Sequence, residues 1–459
     1  MSPAKGRIFL FLPMVGFQAE GIAMMGEVYM GGMRVTKRQW VVLALFGLFG
    51  QIAWMVENMY FNVFLYKTTT GGVQDIAIMV AASAIIATLA TLFMGALSDR
   101  KGRRRILISV CYLLWGITTM AFSVINTANL QRFIPAAQVM TVAVILIIVM
   151  DCIMTFFGAT ANDAAFNSWV TDITDPSNRG AVEGMLSAMP LVALLIIFGL
   201  FDGLTKQGKW QVFFLLVGGL TSVVGLVGFF LIQDVPGLAK SNLNPLVNLA
   251  RTFRPSMIKQ NKNLYLTFTA LSLAGISLQT YMPYFIIYIE QWLGIKNYAV
   301  LLGMVFVFSA VGSVLTGRLA DKIGRGRMIF PALVLYLIGL IGLYFTRNLV
   351  PVIIWGIVMM TGNLTILMNL NSRVRDLTPP GQVGLFQGIR MMFTVLVPMT
   401  CGPFIGSIVT AGSPLMYEEF GVSKSVPTPM LFLAAAVSGV LIFLPVLLGR
   451  ERTVRKGGA

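Results

Sequence analysis

The sequence predicts an all-α integral membrane protein of twelve transmembrane helices in two pseudo-symmetric six-helix bundles. Three observations carry that prediction. First, 57% of the 459 residues are hydrophobic and 11% are charged, against about a quarter charged in a soluble domain. At roughly 20 apolar residues per crossing, the chain holds material for about twelve. Second, one charged motif occurs twice, 222 positions apart: Gly95-Ala96-Leu97-Ser98-Asp99-Arg100-Lys101-Gly102-Arg103-Arg104-Arg105 and Gly317-Arg318-Leu319-Ala320-Asp321-Lys322-Ile323-Gly324-Arg325-Gly326-Arg327. Each copy follows an apolar stretch, and such repetition marks an internally duplicated membrane fold. Third, lysine and arginine are distributed unevenly between alternate loops.

Twelve spans follow in order. Span one (39–66) starts after a basic cluster, and span two (74–97) runs into the first motif. Span three (105–125) leaves it. Span four (136–168) exceeds one crossing and is expected to tilt or protrude. Span five (184–202) contains Pro190, and span six (210–232) closes the first half. The segment 233–263 carries Lys240, Arg251, Arg254, Lys259 and Lys262. It is the longest polar connector in the chain's interior and reads as a cytoplasmic, partly helical linker. Spans seven (264–289) and eight (297–319) lead to the second motif. Spans nine (328–346), ten (350–371), eleven (385–410) and twelve (428–449) complete the second half, and 450–459 forms a basic cytoplasmic tail.

With the N-terminus inside, the outer loops hold Lys67, Arg132, Lys206, Lys209, Lys296, Arg347 and Lys424, seven of the 34 basic residues. The bias places both termini in the cytoplasm, with the protein in the cytoplasmic (inner) membrane. Residues 1–38 read as a cytoplasmic extension. Within it Ile8–Phe17 resembles a signal-peptide core but is too short to span, and Met33 before Arg34, Lys37 and Arg38 offers an alternative start.

The net charge of +16 does not imply nucleic acid, because the cations lie between apolar segments as topology signals. Histidine is absent, which removes imidazole as a metal ligand or proton carrier. Cys111, Cys152 and Cys401 lie in apolar runs and form no thiolate cluster. No nucleotide loop, metal set or activated nucleophile motif occurs. No catalytic residue, metal or cofactor is therefore expected, and the chain does not read as an enzyme. The partners expected are a small solute, a proton or sodium ion and the lipid bilayer, around a monomer.

Polar side chains inside spans are costly and mark cavities or helix contacts. Gln51, Asn58 and Asn62 in span one are spaced by seven and four, on one face with Trp54 and Met55. Asn162 in span four, Tyr281 and Tyr284 in span seven and Asn363 in span ten complete the solute-binding candidates. Pro283 is expected to bend span seven and open a cavity there. A buried carboxylate must be protonated, paired or hydrated. Asp151, with Thr155 on its face, is therefore the leading partner for a coupling ion, and Glu57 is second. Arg390 in span eleven is expected to snorkel.

A second repeat ends spans four and ten at an offset of 204. Asn167, Ser168, Val170, Asp172, Thr174 and Pro176 coincide with Asn371, Ser372, Val374, Asp376, Thr378 and Pro380, and Gly180 and Gly184 with Gly384 and Gly388. In the first repeat, Gly95, Gly102, Gly317 and Gly324 permit close approach and tight turns. Asp99 and Asp321 can face a helix N-terminus, here the start of span eleven around Gly384–Gly388 for Asp99. Arg100 accompanies the first acid. Arg103 and Arg325 are placed to reach Asp172 and Asp376.

These residues are where the chain resembles the major facilitator superfamily. Gly95–Arg105 resembles that superfamily's cytoplasmic signature between helices two and three, and Gly317–Arg327 its second-half copy. Asp172-Ile173-Thr174-Asp175-Pro176 with Arg179 is similar to the helix four–five loop of the glycoside–pentoside–hexuronide cation symporters and sucrose-transporter-like relatives. The acidic pair that melibiose-type members carry on helix two does not transfer, since span two has Asp75 only at its edge. The Gly-Pro signature of drug-efflux antiporters in helix five is also missing, and Gly402-Pro403 lies in span eleven instead. The resemblance implies alternating access, with inner-surface contacts that break on each cycle. It implies cation-coupled movement of a small polar organic solute, such as a sugar or glycoside. The alternatives are export of amphipathic compounds or an uncoupled facilitator.

If the orientation is right, a cysteine introduced at Lys206 or Ser423 reacts with an impermeant thiol reagent added outside, and one at Lys240 does not. The reverse pattern would overturn it.

Overall fold

The structure is a computed structural model that describes residues 35–175, 178–235, 252–379 and 383–449. The readings made for residues 1–34, for 236–251 of the linker, for Pro176 and Pro380 and for 450–459 fall outside the described residues. Among the described residues, twelve helices are long and apolar enough to cross a membrane. In the first half they are α1 (Lys37–Thr68), α2 (Val73–Lys101), α3 (Arg104–Val124), α4 (Ala136–Asp172), α5 (Arg179–Lys206) and α6 (Trp210–Leu231). In the second they are α7 (Lys262–Trp292), α8 (Tyr298–Ala320), α9 (Arg325–Phe345), α10 (Leu349–Leu377), α11 (Gly388–Ala411) and α12 (Met430–Leu448). All twelve expected spans appear. Several are longer than their apolar runs, because a helix continues through polar residues once it reaches water. Arg179 and Glu183 thus extend α5 beyond its greasy centre.

Local chemistry sets the ends. Thr36 caps α1 by accepting from the Gln39 amide, while Gln39 Oε1 accepts from the Thr36 N–H at 2.8 Å. At the next turn, Arg38 Nε donates to the Leu231 carbonyl at 2.8 Å and ties α1 to the end of α6. Gly102 ends α2 at φ +61° and Gly324 ends the corresponding helix at φ +101°. A side chain is disfavoured at either angle. The two motif copies therefore perform the same turn.

Five stretches inside the spans widen into π turns: Val56–Phe61 in α1, Ala159–Phe166 in α4, Ile197–Phe201 in α5, Tyr288–Trp292 in α7 and Met392–Leu396 in α11. Helix pairs approach most closely through small residues. At Gly116 on α3, an added Cβ would sit 2.3 Å from the Gly218 carbonyl on α6.

Contacts joining the halves cluster at the end away from the two motifs. Lys67 Nζ meets Glu290 Oε2 at 2.5 Å. The Tyr284 hydroxyl donates to the Pro403 carbonyl at 2.7 Å and lies 3.2 Å from the Val73 carbonyl. An antiparallel hairpin, β1 (Met416–Glu419) and β2 (Val422–Ser425), joins α11 to α12 at that end. At the motif end, Asn167 and Glu183 are exposed. The molecule is thus closed at the far end and open at the motif end.

Gly116→Ala should destabilise the protein by about 1–3 kcal/mol, because the contact is backbone and cannot yield. Gly303→Ala on α8 has nothing within 4 Å of its added methyl and should leave thermal unfolding in detergent unchanged.

Candidate functional site

Two adjoining cavities, of about 210 and 180 Å³, open beside the first half. The larger is lined by Trp54, Glu57, Asn58, Ser83, Ala84, Ala87, Asp163 and, from the second half, Val395 and Met399. The smaller is lined by Gly47, Gln51, Trp54, Asn162, Asp163, Phe166, Asn167 and Leu186. Trp54 and Asp163 belong to both, so the two form one depression. Among the described residues, none that lines it is basic.

Three π turns converge on it. Glu57 and Asn58 lie on the π turn of α1, Asn162 and Asp163 on that of α4, and Val395 on that of α11. A π turn adds a residue to the turn and re-aims the side chains that follow, which is one reason such turns recur at functional sites. Here Asn162 and Asp163, adjacent in sequence, both reach the cavity. Asn162 Nδ2 donates to Asp163 Oδ1 at 3.1 Å, and Asn162 Oδ1 lies 3.1 Å from the Tyr112 hydroxyl. The Trp54 ring is fixed against Trp115, with centroids 5.1 Å apart.

Behind this wall lies a buried acidic centre. The Thr155 hydroxyl donates to Glu57 Oε1 at 2.8 Å. Asp151 is 1% exposed, against Ser83. Glu57 Oε2 and Asp151 Oδ1 are both buried and have no hydrogen-bond partner. The charged neighbours of Glu57 are Asp151 and Asp163. Three carboxylates of one sign around unpartnered oxygens form a place for a cation or an exchangeable proton.

The sequence candidates divide. Gln51, Asn58 and Asn162 line the cavity with Glu57, and Asp151 stands behind it. Asn62 is fully buried and donates through Nδ2 to the Asn58 carbonyl at 2.8 Å; it serves α1 itself. Tyr281 and Tyr284 do not line the cavity. The Tyr281 ring turns into the second half, where it packs on Phe285 and Phe432, and the Tyr284 hydroxyl sits between the Pro403 and Val73 carbonyls where the two halves meet at the far closure. The break at Pro283 is filled rather than open. Asn363 is 1% exposed, with its Nδ2 unpartnered, and lies outside the two cavities. Arg390 is half-buried, and its Nη2 donates to Asn371 Oδ1 at 3.0 Å. The residues that sequence reasoning missed are Asp163, Ser83, Val395 and Met399. The signal that could have found Asp163 is an acid next to Asn162 inside a span.

At the motif end the guanidinium that meets Asp172 belongs to Arg104, not Arg103. Arg104 Nε lies 3.0 Å from Asp172 Oδ2, Nη2 lies 2.7 Å from Asp99 Oδ1, and Nη1 donates to Ser98 Oγ at 2.6 Å. The reason is helix phase. Gly102 turns the chain, Arg103 caps α3 from outside and is exposed, and Arg104 shares the buried face of Ile108, Cys111, Tyr112 and Trp115. Asp99 is thus held within its own half; Gly384, expected beside it, has no described side-chain surroundings. Arg100 is exposed beside this cluster. Gly95 lies against Ala164 on α4, and Gly317 against Met368 on α10. The second copy differs. Position 326 is glycine, Arg325 Nη1 donates to Ser372 Oγ, and Asp376 is exposed. The side chain of Asp321 lies outside the described set.

The Major Facilitator Superfamily model matches residues 40–374 and 301–458 of this chain. Among curated proteins, the multidrug resistance protein MdtG of Dickeya zeae is 26% identical over 211 residues, which are 42% of this chain and 46% of that protein. MdtG of Proteus mirabilis is 26% identical over 200 residues, 40% and 44% of the two chains. The chain thus spans about half the length of the curated relatives it matches. Among solved structures, a point mutant of the nucleoside transporter NupG superposes with TM-score 0.66 at 12% identity, covering 89% of this chain and 98% of that one. A bacterial homolog of the human lysosomal transporter Spinster, inward-facing and unoccupied, gives 0.64 at 14% identity over 90% and 95%. At these identities the likeness concerns the fold.

Arg104→Ala should cost about 1.5–3 kcal/mol by stripping charge-assisted bonds from two acids, whereas Arg103→Ala should stay within about 0.5 kcal/mol of the parent. Thermal unfolding of the two purified variants decides between the neighbours.

Proposed function

The chain belongs to the Major Facilitator Superfamily, and we propose that this membrane transporter exchanges protons for a small amphipathic organic solute, neutral or cationic, by alternating access. One observation carries the reading: Glu57 and Asp163 face a cavity walled by Trp54, Val395 and Met399, with no basic side chain in its lining. An indole face and a carboxylate attract an organic cation together, and low-dielectric walls strengthen both. Solute and proton compete for the same carboxylates, so binding one favours release of the other. Asp151 lies beside Glu57, to which Thr155 of the same helix donates, so its protonation sets the charge of the acid that meets the solute. The 26% identity to proteins named for multidrug resistance supports outward transport.

A second reading has its own support. Gln51, Asn58 and Asn162 place three amides on the same wall, which suits a neutral polyhydroxylated solute. That reading is cation-coupled uptake of a sugar or glycoside, in the manner of the glycoside–pentoside–hexuronide branch. In either reading Asp99, Arg104 and Asp172 hold the motif end of the first half rigid, while Asp321, Arg325 and Asp376 act at the second. The opening seen at the motif end closes in the other half of the cycle.

In proteoliposomes Asp151→Asn should abolish solute movement driven by a proton gradient while preserving solute exchange, because solute-for-solute exchange does not use the proton-loaded return of the carrier. Glu57→Gln should weaken binding of a monocationic solute by about tenfold, equivalent to one contact of about 1.4 kcal/mol, and spare a neutral analogue. Normal gradient-driven transport by Asp151→Asn would contradict the assignment. Equal loss of cationic and neutral ligands in Glu57→Gln would favour the sugar reading.

A further inference from the structure

The far end is shut by a lysine that crosses from one half to the other. Lys424 lies on β2, paired with Tyr417 on β1, and is 3% exposed. Its Nζ donates to the main-chain carbonyls of Tyr66 and Thr69, in the last turn and at the end of α1 in the opposite half. These are carbonyls that a helix end leaves without internal donors. They also form the negative end of the helix dipole, which favours a cation. The Tyr66 ring lies beneath the ammonium, 5.1 Å from its centroid, and stacks on Tyr417 at 5.9 Å. The Tyr66 hydroxyl donates back to the Ser425 carbonyl at 3.1 Å.

The hairpin is built to reach across. Its two-residue turn, Phe420-Gly421, has φ +54° and +72°, the conformation whose twist matches a tight hairpin. Phenylalanine is an unfavourable residue there. The tip nevertheless holds, and Glu419 and Phe420 line a recess of about 440 Å³ whose other walls, including Phe122 and Trp210, come from the first half. Charge, ring and turn all commit the hairpin to α1.

We propose that Lys424 is a positioning residue of the transport cycle, a latch that caps α1 only while the far end is closed and leaves that cap whenever the far end opens. The inference rests on the alternating-access reading above. It goes beyond it by giving one residue of the α11–α12 connection a part in closing this face, beside the Lys67–Glu290 and Tyr284–Val73 contacts. Alternating access demands that the halves separate here, and the Lys424 bonds cannot survive that separation because donor and acceptors belong to different halves.

The latch carries a pH dependence. Burial pushes the Lys424 ammonium down to about 8 from 10.5, and the carboxylates of Glu419 on the hairpin and Asp75 on α2 oppose that effect. Tyr417, opposite it, is pushed up to about 12, chiefly by burial, and keeps its proton. In the open state Lys424 returns to water and to its ordinary value. Closure therefore gains as pH rises from about 8 towards 10.5, where the buried amine loses its charge but keeps its donors.

The test places spin labels at Ala128 and Asn348, exposed far-end positions of the two halves, and reads their distance distribution by pulsed electron resonance without any solute. Lys424→Met, which keeps the bulk and removes the donors, should raise the open-to-closed ratio by about tenfold, because the Tyr66 and Thr69 carbonyls lose their donor. With Lys424 present, the closed fraction should rise between pH 7.5 and 9.5, and Lys424→Met should flatten that dependence. An unchanged distribution in folded Lys424→Met, or the same pH dependence with and without the lysine, would overturn the latch. If Lys424→Met does not fold, the pH series on the labelled parent still decides, since a flat response there overturns it as well. A parent protein that never populates a second distance would instead count against alternating access.

Discussion

A bilayer core offers no water to a polar group, and that constraint organises the whole molecule. Every backbone amide must be satisfied within its own helix, and every buried charge must find a partner, a proton or a route to water. Long helices with capped ends answer the first demand. The second explains why so few ionisable side chains lie within the spans and why those that do are concentrated. Glu57, Asp151 and Asp163 gather in the first half, where π turns in α1 and α4 and a facing wall from α11 leave a cavity. Among the described residues, two oxygens of that cluster have no hydrogen-bond partner, a costly state for a carboxylate in hydrocarbon.

The duplicated sequence does not produce duplicated chemistry. Both motif copies turn on a positive-φ glycine, and in both an arginine reaches the end of the helix two spans along. Only the first copy has a guanidinium on the buried face of the following helix, because Arg104 corresponds to Gly326. The acids of the cavity are also confined to the first half. The second half supplies Val395 and Met399 to the opposite wall and the hairpin that closes the far end. One half thus carries the acids of the cavity, and the other supplies its apolar wall and the hairpin at the far end.

Much of this was legible in the sequence, and the illegible parts share a cause. Hydropathy marks every span, since burial in lipid demands apolar residues whatever the helices pack against. Gln51, Asn58, Asn162 and Glu57 were readable as cavity residues because polar side chains in a span need a reason. Periodicity failed wherever the helix departs from its regular repeat. The π turn of α4 brings Asp163 beside Asn162, and the Gly102 turn moves the ion pair from Arg103 to Arg104. Tyr281 and Tyr284 do share a face, as their spacing says, but spacing cannot tell which neighbour that face meets. Lys424 was counted only as a topology charge. Its hairpin turn, Phe420-Gly421, lacks the Asn-Gly or Asp-Gly signal that marks such turns.

The central claim is that protons and solute exchange through one acidic cavity. The most direct measurement uses lightly buffered proteoliposomes with a pH-sensitive dye inside and the membrane potential clamped. A quaternary amphipathic cation, which carries no exchangeable proton of its own, is added outside. The account predicts that its protein-dependent entry drives protons out and makes the lumen alkaline. Solute entry with no change in luminal pH, or with acidification, would contradict it.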